Sequence, residues 1–213
     1  MKEKIIVIGG GGHAKVIISI LKKQKKYEVV GYTDISDNGL ILGIQFLGSD
    51  EKLHSLFDSG IQNAAIGLGQ IKTALHRRKI VDVLKNIGFK IPAIISPKSI
   101  VNEDVNIGNG TVVMDGVVIN SGTSIGEFSI INTNSSVDHD CKIGSFTHIT
   151  PGVTLSGEVT IGDNVLIGTG ASVIHQIKIP DNTIISSGSS VQMDIEKVGI
   201  YRGVPAEFVR EIN

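Results

Sequence analysis

Residues 125–162 read IGEFSIINTNSSVDHDCKIGSFTHITPGVTLSGEVTIG. An aliphatic residue recurs at every sixth position: Ile125, Ile131, Val137, Ile143, Ile149, Leu155 and Ile161. Followed outward at the same step, the series reaches back to Ile95 and forward to Val191, and every position in it is aliphatic. Four residues after each start lies a second column of small or β-branched residues, among them Thr123, Ser129, Ser135, Cys141, Thr147 and Val153. A longer period sits above the hexad. Ile-Gly recurs at Ile107, Ile125, Ile143 and Ile161, and Ile-Pro at Ile179, each 18 residues on, so three hexads make one coil.

A period of six matches neither the helical repeat nor the two-residue alternation of a flat strand. It fits a prism with three sides of short parallel strands, each aliphatic pointing inward. Residues 18 apart then stack at ~4.8 Å, and the stretch from Ile95 to Val191 makes between five and six coils, a solenoid ~25 Å tall. Gly and Asn after many of the aliphatics suit tight corners. The general rule for parallel crossovers predicts a right-handed coil.

Ahead of the repeat, KIIVI (residues 4–8) reads as a buried strand, and GGGGHAKVIISILKK as a glycine turn opening an amphipathic helix. YEVVGYTD and NAAIGLG read as further strands, a helix is expected from about Ile71 to Asn86, and GFKIPAIIS leads into the repeat. The order β-α-β-β-α-β makes a small parallel α/β unit. Two domains follow: residues 1–94, a Rossmann-like half-domain, and residues 95–213, a parallel β-helix with a C-terminal tail.

The loop Gly9-Gly10-Gly11-Gly12-His13-Ala14 satisfies G-x-G-x-x-A, and Asp34 lies twenty residues beyond Ala14 at the end of the second strand. That is the pattern of a dinucleotide site, in which backbone N–H groups at a helix start hold an anion. The alternative is an ordinary strand-to-helix turn, but four glycines exceed what a turn requires. Only one β-α-β-α-β half is present, so a mononucleotide or nucleotide-sugar fits better than a dinucleotide. His13 stands at the edge of that site, where it reads as a contact to a sugar or phosphate, with a solvated loop residue as the alternative.

Bulk properties exclude several classes. A formal net charge of −1 gives no basic surface for nucleic acid, and no apolar run of 18 residues suggests a membrane span. The apolar run of MKEKIIVIGGGG stops at the glycines, so it does not serve as a signal-peptide core. The single Cys141 forms no intramolecular disulfide, in keeping with a cytoplasmic protein. No metal-ligand cluster is evident.

Among six histidines, His54 and His76 have no evident partners. His139 and His175 both lie two residues past an inward aliphatic, at corners, and His175 is two coils above His139, ~10 Å away. His139 stands between Asp138 and Asp140. A carboxylate beside a histidine orients the ring and stabilises its charged form, as around a general base; an exposed polar corner is the competing reading. Cys141 occupies the small-residue column and reads as packing.

The order GGGGH … TD … INTNSSVDHDCKIGSFTHITPGVTLSG … YRGVPA resembles, across essentially the whole chain, the hexapeptide-repeat acetyltransferases. Within them it is similar to nucleotide-sugar N-acetyltransferases of the PglD type in the sialic acid O-acetyltransferase (NeuD) family. The resemblance implies a left-handed β-helix, a homotrimer, acetyl-CoA as co-substrate and a nucleotide-linked 4-amino-4,6-dideoxy sugar as acceptor, for surface glycans. It implies that His139 is the catalytic base, assisted by Asp140. Asn132 would lie near the acceptor sugar, and Gly11, Gly12, His13 and Asp34 would contact the nucleotide sugar. His148 would stand near the thioester, with the Gly157 N–H facing the oxyanion. Gly203 and Pro205, in GVPAEFV, would lie near the coenzyme A phosphates, where the family usually has a lysine and this chain has Glu207; Arg202 or Arg210 would then supply the charge. Three other readings stand beside this one: O-acetylation of a sialic acid or related sugar, a non-catalytic nucleotide-responsive trimer, and an NAD-linked oxidoreductase that would leave the prism without purpose.

Overall fold

The run Ile5–Ile8, fully buried, can form a strand only inside a sheet covered on both faces, and it is the central strand of one. In the computed structural model, which describes residues 2–70 and 74–212, the chain divides into two compact units, Met1–Pro97 and Lys98–Asn213.

The first unit runs β1 (Glu3–Ile8), α1 (Gly12–Gln24), β2 (Tyr27–Thr33), α2 (Leu53–Asp58), β3 (Asn63–Ile66) and α3 (Leu75–Ile87). Its sheet has the order β2-β1-β3 and is parallel throughout. Helix α1 buries Ala14, Ile17, Ile18 and Leu21 on one face and ends with Lys25 in the left-handed region. Two features differ from the expected order. Helix α2 separates the second and third strands, because a parallel connection needs a crossover; at six residues it carries too little periodicity to be read from sequence. The final expected strand reduces to a parallel bridge between Asn63 and Lys90. The expected start of α3 at Ile71 lies outside the described residues.

The second unit is a parallel β-solenoid of about 6 turns built from two-residue strands. Ser136–Val137 pairs with Thr154–Leu155 and with Val118–Ile119, the 18-residue register read from the repeat. The inward aliphatics Val113, Ile131, Ile149, Ile167 and Ile185 are all fully buried. The second column does more than fill space. Thr123 Oγ1 donates to the Asp138 carbonyl at 2.8 Å and accepts the Cys141 N–H at 3.2 Å; Thr147 and Ser129 repeat the pattern. These internal hydroxyls satisfy backbone groups that the corners would leave buried and unpaired.

Corners fall every six residues in the left-handed region, from Asp104 through Phe128, Asn134, Asp140 and Phe146 to Gly188. Phe128 and Phe146 are unusual there. They are buried and stack with centroids 5.0 Å apart, so ring burial offsets the backbone cost.

Candidate active site

Asp140 occupies a left-handed corner (φ 57°), a conformation aspartate tolerates better than most residues. From there its Oδ2 lies 2.9 Å from His139 Nδ1. That hydrogen bond, with the negative charges nearby, raises the imidazole pKa above its ordinary value. Asp138 serves the backbone instead. Its Oδ1 accepts the His139 N–H and the Asn120 amide, both at 2.8 Å, and these bonds hold its carboxyl below the usual range. Asn120 in turn accepts from Asn102 at 2.7 Å, one coil further down.

The pair is fitted between two glycines. A Cβ on Gly157, one coil above, would lie 2.5 Å from His139 Nε2; a Cβ on Gly122, one coil below Asp140, would lie 2.4 Å from Asp140 Oδ1. Only glycine lets the ring and the carboxylate lie against the neighbouring coils. Both remain largely open, with side chains 55% and 63% exposed. Asn120 and Gly122 were not singled out from the sequence, although subtracting 18 from Asp138 and Asp140 finds them.

Asn132 and His148 stand together, with Asn132 Nδ2 3.1 Å from His148 Nε2. Asn132 Oδ1 accepts the Thr133 N–H at 2.8 Å, which orients the amide with its nitrogen toward the ring. His148 is therefore held with Nε2 as acceptor and, when neutral, its proton on Nδ1. His148 is 8% exposed and lies on the sheet that contains Ile130–Ile131 and Leu166–Ile167, whereas His139 follows a strand of another sheet. His175 is exposed, two coils above His139. Cys141 is buried, its Sγ 3.2 Å from the Ser156 carbonyl, and burial pushes its thiol up to about 11.

At the C-terminus, Ile200–Arg202 and Glu207–Arg210 form an antiparallel pair. The turn Gly203–Ala206 is pinned to the last coil: the Gly203 N–H donates to Ser189 Oγ at 3.2 Å and the Ala206 N–H to the Ser190 carbonyl at 2.8 Å. Arg202 and Glu207 are register partners, and both Arg202 and Arg210 are exposed.

In the first unit the glycine loop divides by cause. Gly9 has φ 104°, and a Cβ on Gly10 would lie within 2.8 Å of Asn38, Tyr32 and Asp34, so the fold itself demands glycine at both. A Cβ on Gly11 or Gly12 would meet nothing within 4 Å. Those two relieve no clash, and the start of α1 is open beside them. Asp34 has a structural duty the sequence did not reveal: Oδ2 accepts the Gly10 N–H at 2.6 Å and Asn38 Nδ2 at 3.1 Å, and Oδ1 the Ile35 N–H at 2.6 Å. It ties the end of β2 to the loop after β1. His13 follows on the first turn of α1, half-buried. His76, without evident partner in the sequence, lines a cavity with Gly9 and Asp34.

Among the described residues no His, Cys, Asp and Glu cluster has the makings of a metal site, and no helix is long and apolar enough to cross a membrane.

The family model for the PglD N-terminal domain matches residues 4–84. No curated protein sequence matches the chain. Solved structures do. A variant of perosamine N-acetyltransferase from Caulobacter crescentus, in complex with CoA and GDP-perosamine, is 32% identical over 98% of this chain and 97% of its own, with a TM-score of 0.91. The acetyltransferase domain of PglB from Neisseria gonorrhoeae is 30% identical over 98% and 100%, with a TM-score of 0.91, and is also solved in complex with acetyl coenzyme A. WeeI from Acinetobacter baumannii shares the fold at 24% identity, over 98% and 100% of the chains, with a TM-score of 0.84. The solenoid is thus a left-handed parallel β-helix, opposite in hand to the general crossover rule. With this likeness over nearly its whole length, the chain belongs to the PglD-type nucleotide-sugar N-acetyltransferases.

Proposed function

We propose that the protein transfers acetyl from acetyl-CoA to the amino group of a nucleotide-linked 4-amino-4,6-dideoxy sugar, with His139 as general base. The observation that carries this reading is the His139–Asp140 pair set against Gly157. A sugar amine is largely protonated near neutral pH and must lose a proton to attack a thioester. Asp140 holds Nδ1, so Nε2 of the neutral ring takes that proton. The tetrahedral oxyanion then needs a preorganised donor, a role suited to the Gly157 N–H beside the base. No covalent enzyme intermediate is required, and the raised thiol pKa of buried Cys141 agrees with that.

Gly11, Gly12, His13 and Asp34 bind the nucleotide sugar in this reading, and Asn132 orients His148 beside the thioester. Gly203 and Pro205 take the coenzyme phosphates, with Arg202 or Arg210 supplying charge. The active form is a homotrimer, which accounts for an exposed base on one side of the prism and an oriented histidine on another. A cytoplasmic location, with its supply of acetyl-CoA, fits this reading.

The test is release of free CoA from acetyl-CoA, measured against a panel of nucleotide 4-amino sugars and of hydroxyl acceptors. Turnover with an amino sugar that falls roughly 10²-fold or more in His139→Ala, with coenzyme affinity intact, is the expected result. Turnover with hydroxyl acceptors alone would replace N- by O-acetylation, and near-normal turnover in the variant would remove His139 from the mechanism.

A further inference from the structure

The His139 side chain is 55% exposed, so packing does little to hold the ring, and its position depends on hydrogen bonds at the corner. Two of these grip its backbone. The N–H donates to Asp138 Oδ1 at 2.8 Å, and the carbonyl accepts the Glu158 N–H at 2.9 Å from the coil above. The first of them is only as fixed as the Asp138 side chain. The Asp138 backbone is held from both neighbouring coils: its N–H donates to the Leu155 carbonyl at 3.0 Å, and its own carbonyl accepts Thr123 Oγ1 at 2.8 Å. Its carboxylate needs a separate anchor.

A column of amides at the 18-residue step supplies it. Asn102 Nδ2 donates to Asn120 Oδ1 at 2.7 Å, and Asn120 Nδ2 to Asp138 Oδ1 at 2.8 Å. Each amide donates upward, and the column ends on a carboxylate, which only accepts. In such a chain each bond polarises the next. Asp138 Oδ1 thus receives both the Asn120 amide and the His139 N–H, and this one atom joins the coil below to the backbone of the histidine. Both bonds favour the ionised carboxylate. His175 makes the contrast. It has the same offset two coils above, but the residue before it is Ile174, whose side chain offers no acceptor. The other amide ladder, Asn164 to Asn182 at 2.7 Å, precedes Val165 and Thr183 and serves no histidine.

We propose that Asn120 is a positioning residue: acting through Asp138, it fixes the backbone of His139 and so the direction in which Nε2 faces the amine. The inference rests on the reading of His139 as the base. Asp140 holds Nδ1 and sets how the ring is turned, whereas Asn120 and Asp138 set where the side chain starts. The two controls stand on different columns, Asp140 above Gly122 and Asp138 above Asn120. Without the Asn120 amide, the Asp138 carboxylate is free to turn to solvent and release the His139 N–H. The ring then spends part of its time out of line with the amine, and a displacement of about 1 Å costs up to ~10²-fold in rate. Binding of either substrate is untouched, because Asn120 reaches both only through the histidine.

Steady-state kinetics of the full chain test this with Asn120→Ala, Asp138→Ala, the double variant and His139→Ala. The acceptor is the nucleotide 4-amino sugar that turns over fastest in the panel above, and rates are taken well below the lowest melting temperature of the set. Asn120→Ala should lower kcat roughly tenfold while KM for acetyl-CoA and for the amino sugar stays near wild type. A side chain that only braces the coil would lower the melting temperature and leave kcat alone. In the double variant kcat should be no lower than in Asp138→Ala, since the amide has lost the group it acts through; independent effects would multiply. A normal kcat in Asn120→Ala, a loss confined to KM or to the melting temperature, or multiplied losses in the double variant would overturn the proposal and leave His139 as the base. Near-normal turnover in His139→Ala would sink the base, and this inference with it.

Discussion

Gly157 lies one coil above His139 and leaves the space its imidazole occupies: an added Cβ would fall 2.5 Å from Nε2 and 2.6 Å from Cε1. The contact is with the far end of an exposed side chain, so Gly157→Ala turns the ring aside without disturbing the coil. A displacement of about 1 Å at a reacting group costs up to ~10²-fold in rate. Turnover should therefore fall by about 10- to 10²-fold in Gly157→Ala, with the melting temperature and coenzyme affinity unchanged. Full activity would separate the ring position seen here from the one used in catalysis.

With His139 as the proposed base, Asp140 sets the pH range of the reaction. Its hydrogen bond raises the His139 pKa, and a general base works only when neutral, so the rate falls as pH drops through that raised value. Asp140→Asn removes the charge that favours the imidazolium. The acid limb of the kcat/KM profile should move to lower pH, toward an ordinary histidine, while the plateau at high pH drops because the ring is held less well. A limb that stays in place in both His139-intact enzymes belongs to another group.

The hexad made the solenoid legible because every sixth side chain must be aliphatic to fill the prism, a demand composition cannot hide. The His139–Asp140 contact was legible for a related reason, since adjacent titratable groups at a corner have no packing duty; the pattern alone left a catalytic role even with an exposed polar corner. Other features depend on contacts between distant segments and leave little local mark. Asp34 reads as part of a nucleotide-sugar site, and its tie to Gly10 across 24 residues left no mark in the sequence. Phe128 and Phe146 are buried and at the same time sit at left-handed corners, a combination the hexad pattern does not mark. His76 gained meaning only when α3 placed it with Lys79 on a cavity wall.

Gly11 gives a test of why the loop holds four glycines. A Cβ there meets nothing, so the free protein should accept Gly11→Val without loss of melting temperature. Bound nucleotide sugar would meet the added side chain at the start of α1. Its affinity should fall much more than that of acetyl-CoA, as should that of His13→Ala, when both ligands are titrated by calorimetry. Equal losses for the two ligands would argue against separate binding by the two units.

Cys141 is chemically quiet by placement. Its thiol is buried, packed against the Ser156 carbonyl and pushed up to about 11, so little thiolate exists at neutral pH. Cys141→Ala should leave turnover unchanged and cost about 1 kcal/mol of stability from the small cavity. Iodoacetamide should label the native chain far more slowly than the unfolded one. Rapid labelling with loss of activity would reopen a nucleophilic role.

His148 lies on one sheet of the prism and His139 at the corner after a strand of another, nine residues or half a coil apart, so a monomer does not bring them to one site. A cyclic trimer can, by packing the His139 side of one subunit against the His148 side of the next. Each site then draws one histidine from each of two chains. If His139→Ala and His148→Ala chains are denatured together and refolded, every mixed trimer contains one interface with both wild-type histidines, wherever the odd chain sits. At equal mixing about a quarter of all sites should be restored, because three quarters of random trimers are mixed and each has one good site in three. Native mass spectrometry counts the mixed species, and CoA release measures the recovery. Confirmed mixed trimers with a rate no higher than the separate variants would refute a shared site, as would full activity in a monomer isolated by size exclusion.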